Sequence, residues 1–188
     1  ILTQSGLRRN GLLTTDSAGT VLSVDFFDEI DSVCGVEFYS GILIPGMVNT
    51  HSHIELSYLA GAVDEGCGFS GFARQLSEVR NRFTEQQKHD SVSYHDARMW
   101  ADGVSAVGDI SNSADSFGVK SNSKITYHTF LEAYGLRAES LSAVEKVEHE
   151  ALRCGIPYSV TPHSTYSLNE RLFLEAVGKT RDGVLSIH

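Results

Sequence analysis

Gly41-Ile42-Leu43-Ile44-Pro45-Gly46-Met47-Val48-Asn49-Thr50-His51-Ser52-His53 is an apolar run that ends in two histidines separated by one residue. A short continuous apolar run of this kind reads as a buried parallel strand. Along an extended strand, side chains two residues apart point to the same side. The His51 and His53 imidazoles therefore face one point, as a divalent ion requires. Eight histidines in 188 residues give about 0.3 His-x-His triplets by chance. Position therefore carries the reading more than pattern does, because function collects where strands end and loops begin.

Downstream of this strand, strand-like and helix-like segments alternate. Residues 72–83 and 86–100 have helical character, and Thr84 and Gln87 have the spacing of a capping box. Residues 104–110 and 125–132 read as the second and third strands, and a helix over about 140–153 stops at Gly155 and Pro157. Residues 158–163 form a predicted fourth strand, 169–179 a helix with Asn169 near its cap, and 184–188 a fifth strand. Repeated strand-then-helix order implies an α/β fold with a parallel sheet, either a barrel or a doubly wound sheet. His51, His53, Asp109, Glu132, His163 and His188 fall at or just beyond the C-terminal ends of these strands. Barrel enzymes build their sites on that face, which favours the barrel. No Gly-x-Gly-x-x-Gly follows any strand, which counts against a dinucleotide-binding fold.

Upstream, Leu12-Leu13-Thr14-Thr15 and Thr20-Val21-Leu22-Ser23-Val24 flank Asp16-Ser17-Ala18-Gly19, whose Asp and Gly suit a hairpin turn. Residues 1–44 are thus expected to be part of a small β lobe, and 45–188 the first part of a barrel. The chain is 41% hydrophobic with a formal charge of −9 and 15 scattered Lys and Arg, so nucleic acid is a poor electrostatic partner and a small molecule a better one. Apolar stretches break well before ~18 residues and no charged segment precedes an apolar one, so neither a membrane span nor a signal peptide is expected. Cys34, Cys67 and Cys154 are odd in number and widely spaced, which fits packing residues in a reducing cytoplasm.

With these residues in place, the chain resembles the amidohydrolase superfamily, in its deaminase and chlorohydrolase branch. The matching pieces are Pro45-Gly46-Met47-Val48-Asn49-Thr50-His51-Ser52-His53, Gly103-Val104-Ser105-Ala106-Val107-Gly108-Asp109, Pro162-His163-Ser164-Thr165-Tyr166-Ser167 and Leu185-Ser186-Ile187-His188. The resemblance implies a (β/α)8 TIM-type barrel, of which the first five strands are present, preceded by a small β-sandwich lobe. It implies that His51, His53 and His188 are metal ligands and that His163 contacts substrate. The fourth-strand segment contains no lysine of the kind dinuclear branches carbamylate, so one divalent metal is implied, zinc or else iron. An ion held by imidazoles lowers the pKa of bound water from 15.7 towards ~7 and so suits hydrolysis at neutral pH. The implied reaction is deamination of a purine-, pterin- or nucleoside-like heterocycle, with a homodimer as the implied assembly.

The same resemblance places a general acid/base Glu three residues beyond the fifth-strand His, a further His on strand six and a metal-binding Asp on strand eight. All three fall past His188, so no catalytic acid is assigned here, and the chain is expected to be the front of an enzyme and inactive alone. A complete barrel needs roughly 250 residues. Dechlorination or ring-amide hydrolysis on the same site, and a non-catalytic binding domain, are the alternatives.

Other residues have two readings. Glu55 would share the His53 side of a continuing strand and so reach substrate. Glu132 either contacts substrate or the metal shell or is a loop tie, and Asp109 is expected to fix the neighbouring Ser111-Asn112 loop. Phe69 and Phe72 could line an apolar pocket for a flat ring, or be core aromatics; the family often has Trp near Phe72. His128 reads as a core histidine, His89, His95 and His149 as surface residues, and Trp100 as packing its helix on the barrel.

Overall fold

The computed structural model describes residues 1–27, 35–135, 139–180 and 183–188, with Cys34 outside the described residues. The chain divides into two units, Ile1–Gly46 and Met47–His188. In the first, β1 (Leu2–Thr3) pairs with β2 (Gly6–Leu7), and β3 (Gly11–Thr15) pairs antiparallel with β4 (Val21–Phe26). The predicted turn joins β3 to β4. Asp16 Oδ1 accepts from Ala18 N at 2.9 Å and Thr20 N at 2.8 Å, and Gly19 takes the positive φ of 85° that the turn requires.

The second unit carries a parallel sheet of four strands in the order β5 (Met47–Ser52), β6 (Val104–Ser111), β7 (Thr126–Ala133), β8 (Tyr158–Pro162). Sequential order with no reversal lacks the switch point of a doubly wound sheet. The first strand starts later than the apolar run does. Pro45 has no N–H for a ladder, and pairing begins with Met47 N donating to Gly103 O at 2.9 Å. Ile42, Leu43 and Ile44, which precede the strand, are exposed, and so are Met47 and Val48 on β5, the edge strand of the described sheet. Where β5 meets β6, a side chain at Gly108 would put its Cβ 2.9 Å from Thr50 O, so glycine permits the close approach of the two strands.

The expected fifth strand is not a strand among the described residues. Residues 183–188 run beside β8 without a ladder, held by the Thr161 hydroxyl, which donates to Ser186 O and accepts from Ser186 N, and by His188 N donating to His163 O at 3.0 Å. A side chain has taken the place of backbone pairing there.

Helices α1 (Gly68–Val79), α2 (Glu85–Ala101), α3 (Phe117–Lys120), α4 (Glu139–Cys154) and α5 (Glu170–Gly178) connect and cover the strands. The first starts four residues earlier than its periodicity indicated, and residues 80–82 tighten into a 3₁₀ turn. α2 begins at the expected capping box. Thr84 Oγ1 accepts from Gln87 N at 3.2 Å, and Gln87 Oε1 accepts from Thr84 N at 2.8 Å. Asn169 caps α5 by accepting from Leu172 N at 2.9 Å.

Two apolar clusters fix the sheet. Leu131, Ala133, Tyr158 and Val160 pack with Val144 and Ala151 of α4 and Leu172 and Ala176 of α5, while Val107, Ile125 and Tyr127 pack with Ile54 and Val92. Trp100, expected to pack α2 on the sheet, is exposed, with Lys124 Nζ 5.7 Å from its ring centroid. Val92 and Met99 point to the core side instead.

Candidate metal centre

His51 ends β5, and His53 follows where the chain turns into a 3₁₀ helix, Ile54–Leu59. That turn is fixed by a buried polar group: Asp109, at the end of β6, accepts from Ile54 N at 2.8 Å. Its other oxygen lies 2.6 Å from Lys120 Nζ, and neither side chain is exposed. Lys120 also donates to Ser111 Oγ at 2.9 Å and Thr129 Oγ1 at 3.1 Å, so the ammonium meets three acceptors. Asp109 thus ties down the start of the 3₁₀ helix as well as Ser111, whose hydroxyl is 3.3 Å from it.

At the other side of the sheet, His163 follows β8 and donates its backbone N–H to Ala133 O at 2.9 Å. Its Nδ1 lies 2.8 Å from Ser167 Oγ and 3.1 Å from Ser164 Oγ, which fixes the ring. The backbone bond from His188 to His163 then sets the His188 ring against it, with centroids 4.7 Å apart.

Four imidazoles from distant parts of the sequence thereby gather. Ring centroids are 5.1 Å apart for His51 and His53, 4.5 Å for His51 and His188, and 5.3 Å for His53 and His188. Potential ligand atoms of His51, His53 and His188 lie within 4.8 Å of one another, and so do those of Glu132, His163 and His188. Burial pushes the His53 and His188 imidazoles below the usual histidine range, against the upward pull of the Glu132 carboxylate. Neutral rings offer lone pairs, so the donor set fits a divalent ion of the zinc type.

Glu132, at the end of β7, is buried. Its Oε2 accepts from Asn112 Nδ2 at 2.8 Å, and its Oε1 faces His188 Nε2 at 3.5 Å. Glu55 does not continue on a strand beside His53, because the 3₁₀ helix turns it inward. Its carboxylate accepts from Asn112 N at 2.9 Å, Ser113 N at 3.0 Å and Ser113 Oγ at 2.9 Å. Burial pushes its carboxyl up to about 7 against those three bonds. Phe72 and Phe69 lie on α1 with largely exposed rings, an accessible apolar face rather than core. His128 sits within β7 with Nε2 2.9 Å from Ser159 Oγ, in keeping with a satisfied core histidine. The sequence does not single out Lys120, whose acceptors lie on β6 and β7, or the Ser164 and Ser167 hydroxyls, although these stand only one and four residues from His163.

No family model matches the chain. It is 23% identical over 193 residues to a 5-methylthioadenosine/S-adenosylhomocysteine deaminase from Haloarcula marismortui, an overlap of 97% of this chain and 44% of that protein. The corresponding deaminase from Bacillus cytotoxicus is 23% identical over 202 residues, covering 98% of this chain and 46% of that protein. Both relatives are named as deaminases, which fits the deaminase branch of the amidohydrolase superfamily that the sequence resembles. The chain spans a little under half the length of the curated relatives it matches.

Solved structures share the fold of this chain. Helicobacter pylori aminofutalosine deaminase in complex with methylthio-coformycin has a TM-score of 0.66 at 23% identity, over 77% of this chain and 36% of that one. Atrazine chlorohydrolase from Arthrobacter aurescens complexed with zinc has a TM-score of 0.58 at 11% identity, over 77% of this chain and 40% of that one.

Proposed function

We propose that this chain is the first part of a metal-dependent aminohydrolase acting on an adenine-type nucleoside, and that His51, His53 and His188 hold one divalent ion, zinc. The observation that carries this reading is the convergence of those three imidazoles, with potential ligand atoms within 4.8 Å of one another, although His188 lies more than 130 positions beyond His51 and His53 in sequence. The names of the curated relatives support the substrate class, since both are deaminases of adenosine derivatives. A solved adenosine deaminase from Xanthomonas campestris with bound zinc, with a TM-score of 0.54, supports the metal. Residues 1–44 would supply part of a β-sandwich lobe, and the sheet of residues 47–162 the opening strands of a closed barrel.

When bound, the ion lowers the pKa of water so that hydroxide is available near neutral pH. The protein's residues then orient the substrate. His163, its Nδ1 fixed by Ser164 and Ser167, would present Nε2 to the ring, and the exposed Phe72 offers an apolar surface for a flat base. Glu55 holds the loop at residues 112–113, from which Asn112 Nδ2 donates to Glu132 Oε2. In the overall reaction the oxygen of water joins the ring carbon, the carbon–nitrogen bond breaks, and ammonia leaves after taking up a proton.

The test is metal content and ammonia release by the full-length protein with adenosine, 5′-methylthioadenosine and S-adenosylhomocysteine. Ammonia release that depends on the metal supports the reading. Chloride release from a chlorinated triazine without any nucleoside deamination would move the assignment to the chlorohydrolase side of the branch.

A further inference from the structure

We propose that Glu132 sets the leaving-group specificity of the site, its Oε1 accepting a hydrogen bond from the exocyclic amino group of an adenine-type substrate. This rests on the aminohydrolase reading above. One carboxylate oxygen, Oε2, is occupied by Asn112 Nδ2 at 2.8 Å. The other, Oε1, is buried and has no hydrogen-bond partner among the described residues. A buried acceptor without a donor is costly, and in a native protein it calls for an explanation. Potential ligand atoms of Glu132 lie within 4.8 Å of those of His163 and His188, whereas the group that contains His51 and His53 takes in His188 and not Glu132. Glu132 therefore stands on the His163 side of His188, with the substrate contact rather than with the pair at the end of β5.

The chemistry of the base selects the donor. An adenine joined to its sugar has one group that carries N–H, the exocyclic amine, and its free ring nitrogens are acceptors. The sugar hydroxyls lie at the opposite edge of the base. Oε1 is 3.5 Å from His188 Nε2, at the end of the site that the reading of His188 as a ligand gives to the reacting carbon and its amine. A carboxylate there favours a leaving nitrogen that gains positive charge and opposes a leaving group that departs as an anion, such as chloride. In the reaction, water gives its oxygen and one proton to the ring and its other proton to nitrogen. The carbon–nitrogen electron pair goes with nitrogen, and ammonia departs while Glu132 holds an N–H and exchanges no proton. Asn112, anchored through its backbone N–H to Glu55 Oε1 at 2.9 Å, is the positioning residue that aims Oε1 by holding Oε2.

The experiment uses the zinc-loaded full-length protein with 5′-methylthioadenosine and its 6-chloro counterpart, which give the same purine product with ammonia or chloride as the leaving group. In Glu132→Gln the side-chain oxygen stays with Asn112 Nδ2, so an N–H donor takes the place of Oε1. The expected result is a kcat/KM ratio of amino to chloro substrate lowered by about 10-fold or more, chiefly through kcat for the amine, with zinc content unchanged. Should chloride release be too slow to follow, the competitive inhibition constant of the chloro compound takes the place of its kcat/KM. A merely structural role would impair both substrates alike, so an unchanged ratio overturns the proposal, and so does loss of zinc from the variant. If the wild-type enzyme with zinc bound releases no ammonia from any adenine nucleoside, the aminohydrolase reading itself fails; if it does and Glu132→Gln keeps the wild-type ratio, only this inference fails. Should Glu132→Gln not fold, Glu132→Asp keeps the charge in the core and withdraws the acceptor by one methylene. Its ratio should fall by about 3-fold or more, and a wild-type ratio there overturns the proposal.

Discussion

Lys120→Met should be among the most damaging single changes outside the histidine cluster. Lys120 Nζ and the Asp109 carboxylate are 2.6 Å apart with neither side chain exposed, so removing the ammonium leaves a carboxylate in the core with no counter-charge. Ser111 Oγ at 3.3 Å and Ile54 N at 2.8 Å remain as its donors, too few to replace a full charge. Breaking a buried pair from one side costs about 3–5 kcal/mol, a large share of the roughly 5–15 kcal/mol that holds a domain folded. Asp109→Asn in the same background removes the orphaned charge while keeping an acceptor for Ile54 N. The double variant should therefore be more stable than the sum of the single losses by about 2 kcal/mol or more. Urea unfolding of the four proteins at pH 7, followed by circular dichroism, measures the cycle. A Lys120→Met loss below about 1 kcal/mol, or single effects that add within ~0.5 kcal/mol, would refute the claim that this pair is a coupled, desolvated unit.

Gly108→Ala should push β5 away from β6, since the new Cβ would lie 2.9 Å from Thr50 O and 3.1 Å from Phe130 Cε2. The expected cost is about 1–3 kcal/mol, with metal affinity falling alongside, and equal stability and affinity in the two proteins would count against the close approach. Thr84→Ala removes the cap of α2 and should cost about 1 kcal/mol, read as faster amide exchange in the first turn of that helix. Tyr127→Phe deletes the hydroxyl that donates to Asp96 Oδ1 at 2.7 Å and should cost about 1 kcal/mol in thermal or urea unfolding; no loss would show that the bond has no net worth.

What the sequence could reveal depended on the range of the interaction. The Thr84–Gln87 capping box is complete within four residues, so it was readable in advance, and the alternation of strands and helices rests on local periodicity in the same way. The period-2 argument brought His51 and His53 together correctly, but carrying it on to Glu55 did not hold. The chain leaves the extended conformation at Ile54, where its N–H bonds to Asp109, a residue 55 positions away. Lys120 was invisible for a similar reason: α3 is four residues long, too short for any periodic signal, and the partners of its ammonium come from β6 and β7. Val184-Leu185-Ser186-Ile187 has strand composition, but Thr161 bonds Ser186 through its side chain, so alternation gave the correct neighbour and the wrong secondary structure. Trp100 departs from its expected packing because α2 carries apolar residues on more than one face, and burial falls to Val92 and Met99.

The most direct test of the central claim is metal stoichiometry in the purified full-length protein, compared between wild type and the His51→Ala/His53→Ala double variant after both are stripped and reloaded with zinc. The account predicts one zinc per chain in wild type and none retained by the variant, with the variant still folded by circular dichroism. A folded double variant that keeps one zinc per chain would contradict it.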